Sequence, residues 1–395
     1  MTRPLKLYLV AAEESGDVLG GALMAALRIL QPSIVFAGVG GRAMQAQGLA
    51  TSFDTAGLSI IGLASVPKKL PLIFRRIRET AGAIVAAEPD ALIIIDSPDF
   101  THRVAQRVRK AAPHVAIVNY APPTVWAWRP WRARAMRRYV DEVLAILPFE
   151  PAAFARLDGP PCSYVGHPLA ERIGELRPNA EEARRRLSDP PVLLVLPGSR
   201  ASEIRRLAGV FGETIAKVSD RSGPLDVVLP TLPHIAEQVA AATASWPVRP
   251  RIVLDGQEKH VAFRNARAAL AASGTVTLEL ALAQVPTVAA YRIPAWEGAV
   301  FRLMAHIDTV ILANLVLGEK VVPEFLQRDC AADRLAPALL ALLRDGPERR
   351  RQLEAFTRLE AIMELPGEPP SRRAARAILA LIERKTALSS PSPSC

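Results

Sequence analysis

The chain has 395 residues, and at about 100 to 200 residues per domain this length predicts two or three domains that bury their own cores without disulfides or a structural metal. Charged residues make up 22% of the sequence and apolar residues 50%, which excludes a largely disordered chain. Lys and Arg number 49 against 39 Asp and Glu, and the net charge of +10 favours an anionic partner such as a nucleotide, a nucleic acid or a lipid headgroup.

Membrane spans, secretion and metal binding are not indicated by the sequence. Its apolar runs fall short of the roughly 18 residues that a bilayer span needs. Residues 7–12 are too short for a signal-peptide core and run directly into Glu13 and Glu14, so we expect a cytoplasmic protein. The three Cys residues are far apart and the six His residues lack metal-ligand spacing, so we expect reduced thiols and no metal.

Short, continuously apolar runs alternate with helical patterns, which is typical of strands buried on both faces of a parallel sheet. The predicted fold class is α/β. The predicted strands are 7–12, 34–38, 91–96, 115–120, 142–146, 192–196, 226–229, 251–254, 268–271 and 287–291. The predicted helices in the first half are 18–30, 70–87, 100–111 and 130–139. After residue 322 we expect only helices, at 334–344, 347–365 and 370–385.

Stretches rich in Pro, Asp and Arg separate the two halves of this pattern. We predict an N-terminal Rossmann-like domain over 1–168 and a second one over 169–345. We further predict C-terminal helices over 346–388 that return to an N-terminal domain, and a disordered tail over 389–395. Two open α/β sheets place ligands at the carboxyl ends of their strands, so we expect a cleft site between the halves.

The loop after the first strand contains Ser15, Gly16 and Asp17 at the start of a helix. Backbone N–H groups there could meet an anion, although Glu13 and Glu14 argue against a phosphate. From spacing alone, Ser15 and Asp17 are more often helix caps than ligand contacts. The loop lacks the glycine pattern of a dinucleotide site.

Asp96 ends the apolar run at 91–95, which predicts a carboxylate pointing into the cleft. Such a group acts as a general base when an acceptor hydroxyl lies within hydrogen-bond reach. The alternative, equally weighted from the residues alone, is that Asp96 only ties down its own loop. Asp99 is interpreted as a complement to the helix dipole.

Two loops of the second half predict a nucleotide-diphosphate site. In the first, Gly198 and Ser199 let backbone amides approach a diphosphate, and Arg200 neutralises it without a metal. In the second, Glu279 falls one turn after Thr275, where it could accept bonds from two ribose hydroxyls. Either loop alone could be ordinary turn and cap chemistry; together, at two strand ends, they favour the nucleotide.

Residues 63–77 interleave aliphatic and basic side chains. This pattern is compatible with an in-plane contact on an anionic membrane and also with a surface helix docked on the sheet. The residues assigned to the membrane contact are Val66, Lys68, Lys69, Leu70, Leu72, Ile73, Arg75 and Arg76. A second unusual stretch, 120–138, mixes Trp and Arg and could stack a base, hold a sugar or pack in the core.

Seven motifs, in order along the chain, resemble the lipid-A-disaccharide synthase family. They are Ser15-Gly16-Asp17, Ile95-Asp96-Ser97-Pro98-Asp99-Phe100, Val125-Trp126-Ala127-Trp128-Arg129, Leu147-Pro148-Phe149-Glu150, Val165-Gly166-His167-Pro168, Leu196-Pro197-Gly198-Ser199-Arg200 and Ala272-Ser273-Gly274-Thr275. The resemblance as a whole runs over about residues 7–327, most of the chain, and includes these motifs.

The resemblance implies a GT-B glycosyltransferase that moves 2,3-diacylglucosamine from UDP to the 6-hydroxyl of 2,3-diacylglucosamine 1-phosphate. It implies inversion at the donor carbon, no metal or other cofactor, and a peripheral position on the inner face of the inner membrane. Asp96 would be the base, and Ser15, Gly16 and Asp17 would lie near the transferred sugar. The implied donor contacts are Gly198, Ser199, Arg200, Ser273, Gly274, Thr275, Glu279 and Asn314.

The resemblance also favours the membrane interpretation of residues 63–77, because both substrates carry acyl chains. His167 is assigned to the domain junction. Ala12, Glu14 and Thr101 depart from the usual family pattern, which leaves acyl-chain length and acceptor detail open. A homodimer is compatible with the sequence, which does not set the oligomeric state.

Two other functions remain as alternatives. A non-hydrolysing UDP-N-acetylglucosamine 2-epimerase shares the fold and the UDP site but would not need residues 63–77. A nucleic-acid-binding protein would account for the basic charge and the Trp/Arg stretch, yet the basic residues are spread over many helices, so we expect no nucleic-acid partner.

Overall fold

Two units divide the chain, and each is described by itself. The computed structural model describes residues 3–51, 66–294 and 307–389. The first unit runs to Ala170 and resumes at Leu365, and the second unit is Glu171–Glu364.

The elements follow one another mostly as strand and helix in alternation. The strands are β1 (Lys6–Ala11), β2 (Val35–Val39), β3 (Ala50–Thr51), β4 (Ala91–Ile95), β5 (Ala116–Tyr120), β6 (Glu142–Ala145), β7 (Cys162–Tyr164), β8 (Val192–Leu196), β9 (Asp226–Pro230), β10 (Arg251–Val253), β11 (Ala268–Ala272), β12 (Thr287–Tyr291) and β13 (Glu324–Leu326). The α-helices are α1 (Glu14–Leu30), α2 (Arg42–Ala46), α3 (Val66–Ala87), α4 (Pro98–Ala111), α5 (Trp131–Met136), α6 (Glu150–Arg156), α7 (Ile173–Leu176), α8 (Ala180–Leu187), α9 (Ala201–Ser222), α10 (Ala236–Thr243), α11 (Gly256–Asn265), α12 (Val276–Leu282), α13 (Leu312–Leu317), α14 (Ala332–Leu343), α15 (Pro347–Met363) and α16 (Pro370–Ser389).

Each unit is built on one parallel sheet. Within the described residues, the strand order is β3-β2-β1-β4-β5-β6-β7 in the first unit and β10-β9-β8-β11-β12-β13 in the second. In the first sheet Ala11 pairs with Ile95, so β1 and β4 end side by side and the loops that follow them meet. In the second sheet Leu196 pairs with Ala271, which brings the loops after β8 and β11 together. The α/β class with two Rossmann-like halves is confirmed.

Both faces of the first sheet are buried, as the continuous apolar runs predict. Leu7 and Leu9 of β1 pack on α1 and α16, whereas Tyr8 and Val10 pack on α3 and α4. The second sheet has its own core, formed around Leu193 and Val195 of β8. The carboxyl ends of the strands are thereby held in fixed positions for the loops that carry polar side chains.

The predicted strands end within one residue of the observed strands. The sequence does not predict β3, β7 or β13, which are two or three residues long. The expectation of helices alone after residue 322 is therefore wrong, because Glu324–Leu326 pairs with β12 at the edge of the second sheet. These short strands lack the continuous apolar run that identifies a buried strand.

The C-terminal helices divide between the units. The sequence groups 346–388 as helices returning to an N-terminal domain, whereas α15 lies in the second unit and only α16 packs on the first. On α16, Ala374, Ile378 and Ile382 repeat every four residues and are buried in the core shared with α1. The tail beyond Ser389 lies outside the described residues.

Helix α3 corrects one residue of the proposed membrane contact. Ile73, Ile77, Ala81 and Ile84 recur at helical spacing and are buried against the sheet, so Ile73 faces the core and not a membrane. On the other side Leu72 is exposed by 37%. The side chains of Val66, Lys68, Lys69 and Leu70 lie outside the described residues.

Candidate functional site

The loops after β1 and β4 bring Ser15 and Asp96 into direct contact. Ser15 Oγ donates a hydrogen bond to Asp96 Oδ2 at 2.5 Å, and the Ser97 N–H donates to Asp96 Oδ1 at 2.8 Å. The carboxylate is thus held from both oxygens, while its side chain remains partly exposed at the carboxyl edge of the sheet. A fixed, accessible carboxylate at this edge can accept a proton from a bound hydroxyl.

The backbone at Asp96 is strained. Asp96 and Ser97 have φ values of 53° and 45°, in the left-handed region that non-glycine residues seldom adopt. Thr101 stabilises this turn, because its Oγ1 donates to the carbonyl oxygens of Asp96 at 2.8 Å and Ser97 at 3.1 Å. Strained backbone held by its surroundings is common at functional sites, which favours a chemical role for Asp96 over the loop-anchor alternative.

Gly16 and Asp17 are buried next to this edge, and their place beside the transferred sugar stays a prediction. A Cβ on Gly16 would lie 3.2 Å from the Ile95 carbonyl oxygen and 3.3 Å from Asp96 Cβ, so glycine here permits the close approach that brings Ser15 to Asp96. The Asp17 carboxylate accepts N–H bonds from Gly41 at 2.7 Å, Ala43 at 2.8 Å and Met44 at 3.1 Å and so fixes the start of α2.

Asp96 lines a cavity of about 210 Å³. Its other lining residues are Pro98, Pro122, Pro123, Thr124, Val125, Trp128 and Arg132. The cavity is smaller than the roughly 300–1,000 Å³ of a drug-sized ligand site, so it suits one sugar ring or a phosphate rather than a whole glycolipid. Trp128 offers an aromatic face, and the Arg129 guanidinium stacks on it at 4.0 Å from the ring centroid.

The buried carboxyl group of Glu150 fixes Trp126, which lies between the cavity-lining residues Val125 and Trp128. Trp126 Nε1 donates to Glu150 Oε1 at 3.2 Å, and the N–H groups of Ile146 and Leu147 donate to Glu150 Oε2 at 3.1 and 3.0 Å. Burial raises the pKa of Glu150 to about 7, against the lowering effect of these hydrogen bonds. Trp126 is therefore core packing, whereas Trp128 lines the cavity; the mixed Trp/Arg pattern did not separate these two roles.

His167 is also buried. Its Nδ1 accepts the Leu169 N–H at 3.1 Å, and burial lowers the pKa of His167 to about 4. The imidazole is neutral near pH 7 and fixes the chain just before the first unit ends at Ala170.

In the second unit, the loop after β8 carries Gly198, Ser199 and Arg200 to the carboxyl edge, where Ser199 and Arg200 are exposed. The N–H groups of Ser199 and Arg200 donate to Glu203 Oε2 at 3.0 and 3.3 Å. These two amides are thus bonded within the loop, and the approach of a diphosphate to the Gly198 and Ser199 backbone stays a prediction. The Arg200 guanidinium, on a side chain exposed by 60%, and the Ser199 hydroxyl remain accessible to an anion.

The loop after β11 places Ser273, Gly274 and Thr275 beside it, with Gly274 and Thr275 exposed. A Cβ on Gly274 would meet no atom within 4 Å, so the loop is open on this side. Glu279 lies one turn further on, and its carboxylate accepts bonds from Lys259 Nζ at 2.8 and 3.1 Å. Lys259, which the sequence analysis did not identify, therefore neutralises the carboxylate expected to bind ribose.

Asn314 lies close behind this loop, since Ser273 Oγ donates to the Val310 carbonyl oxygen at 3.3 Å. Its side chain is buried; Oδ1 accepts the N–H groups of Val321 at 3.0 Å and Val322 at 2.9 Å, while Nδ2 donates to the Val322 carbonyl at 2.9 Å. The amide therefore ties α13 to the residues that follow it, and the UDP contact implied for Asn314 stays a prediction. A polar residue inside an apolar run is the sequence signal for such a buried structural amide.

Neither a metal cluster nor a spanning helix is found in the part of the chain that the structure describes. In 3–51, 66–294 and 307–389 no three His, Cys, Asp or Glu side chains are grouped so that they could hold a metal ion. Over the same ranges, every helix is too short or too polar to cross a bilayer.

Comparison with known proteins gives one consistent result. The family model described as lipid-A-disaccharide synthetase matches residues 7–375. The lipid-A-disaccharide synthase of Nitrobacter hamburgensis is 59% identical over 95% of both chains. That of Rhodopseudomonas palustris strain HaA2 is 57% identical over 96% of this chain and 97% of the relative.

Solved structures share the fold at much lower identity. A UDP-N-acetylglucosamine 2-epimerase from Neisseria meningitidis, bound to UDP-N-acetylglucosamine, superposes with a TM-score of 0.61 at 11% identity, over 96% of this chain and 100% of that one. This likeness shows the architecture alone. The epimerase alternative rests on that architecture and is not favoured beside relatives above 50% identity.

Proposed function

Because the chain belongs to the lipid-A-disaccharide synthase family, we propose that it transfers 2,3-diacylglucosamine from UDP to the 6-hydroxyl of 2,3-diacylglucosamine 1-phosphate. The products are the β-1,6-linked disaccharide 1-phosphate and UDP. The observation that carries the assignment of the site is the Asp96 carboxylate, fixed by Ser15 and Ser97 at the edge of β4 and lining a cavity of sugar size.

Asp96 is the base in this proposal. Its carboxylate takes the proton of the acceptor 6-hydroxyl as that oxygen attacks C1 of the donor sugar. The bond from C1 to the diphosphate oxygen breaks, and UDP leaves with the electron pair. One displacement at C1 inverts its configuration, so a single base is sufficient and no covalent intermediate on the protein is required.

The second unit is the donor side. The Arg200 guanidinium and the Ser199 hydroxyl are the exposed groups that would stabilise the charge on the leaving diphosphate, in place of a metal. Glu279 would accept hydrogen bonds from the ribose hydroxyls, with Lys259 as its counter-ion. The open space beside Gly274 would leave room for the nucleotide.

The acyl chains of both substrates place the reaction at the inner face of the inner membrane, which we propose the protein reaches through α3. Leu72 and Phe74 are exposed by 37% and 44%, and Arg75 is exposed beside them. Apolar side chains in the headgroup boundary and cations on anionic lipid are the two components of such a contact.

The test of the site is a comparison of two neighbouring carboxylates. Asp96→Asn removes the base, and we expect kcat to fall about 100- to 10,000-fold while UDP still binds. Asp99→Asn is the matched control, because this carboxylate lies three residues after Asp96 in the first turn of α4, is paired with Arg132 and is 66% exposed. Near-wild-type turnover by Asp96→Asn, measured with labelled donor, would refute the assignment, as would an equal loss in both variants.

A further inference from the structure

Glu203 lies directly beneath the loop that we assign to the donor diphosphate. It is the third residue of α9, and its Oε2 accepts the N–H groups of Ser199 at 3.0 Å and Arg200 at 3.3 Å. A carboxylate three residues into a helix that bonds back to the N-cap amide is one half of a capping box, so the helix itself fixes the loop.

The loop is shaped around this carboxylate. Glu203 is 8% exposed, and Gly198 adopts a φ of 116° immediately above it. A Cβ on Gly198 would stand 2.7 Å from Glu203 Cβ, closer than real Cβ contacts, so the position requires glycine. The requirement for glycine at position 198 therefore follows from the Glu203 side chain inside the protein, without the approach of a ligand.

Two further groups fix the other carboxylate oxygen. Tyr291 Oη, at the end of β12, donates to Glu203 Oε1 at 3.1 Å, and the Arg200 guanidinium lies 3.5 Å from the same oxygen. Burial, followed by the charge of Glu203, raises the pKa of Tyr291 to about 12, so the phenol is protonated and remains a donor near pH 7. Glu203 therefore connects the loop after β8 to the end of β12.

We propose that Glu203 is the positioning residue of the donor loop: it holds the Ser199 and Arg200 backbone from below and orients the Arg200 guanidinium toward the diphosphate. Glu203 itself does not touch the donor. This inference rests on the proposed function, since it deepens the assignment of Arg200 and Ser199 to the diphosphate. It predicts that Glu203 affects donor binding and the stabilisation of the leaving diphosphate, while acceptor affinity stays largely unchanged.

The experiment measures UDP binding by titration calorimetry, together with KM for each substrate. Glu203→Ala should weaken UDP binding, raise the donor KM at least 10-fold and lower kcat, with acceptor KM within about threefold, because a preorganised charge-assisted contact to the leaving diphosphate is lost. Glu203→Gln keeps an acceptor for the two amides and should recover UDP affinity to within about threefold. Glu213→Ala, an exposed carboxylate on the same helix, is the matched control and should bind UDP as the wild type does.

Tyr291→Phe keeps the inference testable where Glu203→Ala does not fold, because it removes only the hydroxyl that bonds Glu203. It should weaken UDP binding about threefold or more. Unchanged UDP affinity in Glu203→Ala or, where that variant is unfolded, in Tyr291→Phe would overturn the proposal. Tighter UDP binding in Glu203→Ala would also overturn it, since Glu203 would then compete with the diphosphate for the amides. A wild-type protein that binds no UDP would instead refute the donor assignment itself.

Discussion

At the scale of single residues, the sequence predicts which polar residue lies at the end of a strand. It does not predict the roles of the other polar residues of the site. Asp96 follows a fully apolar strand, so its place at the sheet edge could be predicted, and Ser15 reaches it because β1 and β4 end in register. Asp17 lies in one of the seven motifs and Asn314 lies in an apolar run. Their side-chain oxygens accept hydrogen bonds from backbone N–H groups. For Asp17 the sequence could not show this role, because its hydrogen-bond partners lie 24 to 27 residues further along the chain.

Glu203 could have been found from spacing. A Glu three residues after the N-cap of a helix is the mark of a capping box, and Glu203 stands three residues after Arg200. Its connection to Tyr291 joins β8 and β12, which are not adjacent in the sheet, and so requires the fold.

Glu150 gives a pH prediction. Its pKa is raised to about 7 in the folded protein, above the ordinary value of 4.5, so the folded state keeps a proton that the unfolded state releases between these two pH values. The free energy of unfolding therefore falls as pH rises from about 4.5 to 7, by up to about 3 kcal/mol from this group. Glu150→Gln cannot ionise, so its stability relative to wild type should increase over that window and stay constant above pH 8.

Urea denaturation of the wild type and Glu150→Gln at several pH values from 4.5 to 8 measures this difference, and all other titrating groups are common to both proteins. Parallel stability curves for the two proteins would show that Glu150 does not titrate in this range.

At the scale of elements, continuous apolar runs predict buried strands reliably because both faces of each sheet are covered. Short edge strands such as β13 escape this rule, since they depend on pairing with a neighbour more than on burial of their own side chains. Helix α3 shows the limit for helices: aliphatic residues next to basic ones suggest a surface helix, but only the spacing of Ile73, Ile77 and Ile84 shows which side chains face the sheet.

The two sides of α3 should respond differently to substitution. Replacing exposed Leu72 and Phe74 together with Ser should reduce binding to phosphatidylglycerol vesicles with little change in Tm, because the substitution removes apolar surface available to lipid. Ile73→Ala should instead destabilise the fold by about 2–5 kcal/mol and leave vesicle binding of the folded protein intact.

Vesicle co-sedimentation and thermal melting of both variants separate these outcomes. Wild-type vesicle binding by the Leu72/Phe74 double variant would contradict the membrane contact on α3.

At the scale of the whole molecule, the net charge of +10 predicted an anionic partner without naming one. The first unit offers a fixed carboxylate beside a cavity of about 210 Å³, and the second offers an exposed arginine on a glycine-containing loop. A hydroxyl acceptor and a diphosphate donor match these two sites. The division of the C-terminal helices between the units could not be predicted, because α15 and α16 are both amphipathic and the sequence does not show which apolar surface each one covers.

The most direct test of the transferase assignment is mass spectrometry of the products formed when the purified protein is incubated with UDP-2,3-diacylglucosamine and 2,3-diacylglucosamine 1-phosphate. We expect a disaccharide 1-phosphate whose mass equals the sum of both substrates less UDP, with one UDP released per disaccharide. Omission of either substrate should abolish the product. Release of free diacylglucosamine without a disaccharide, or an isomerised UDP-sugar of unchanged mass, would contradict it.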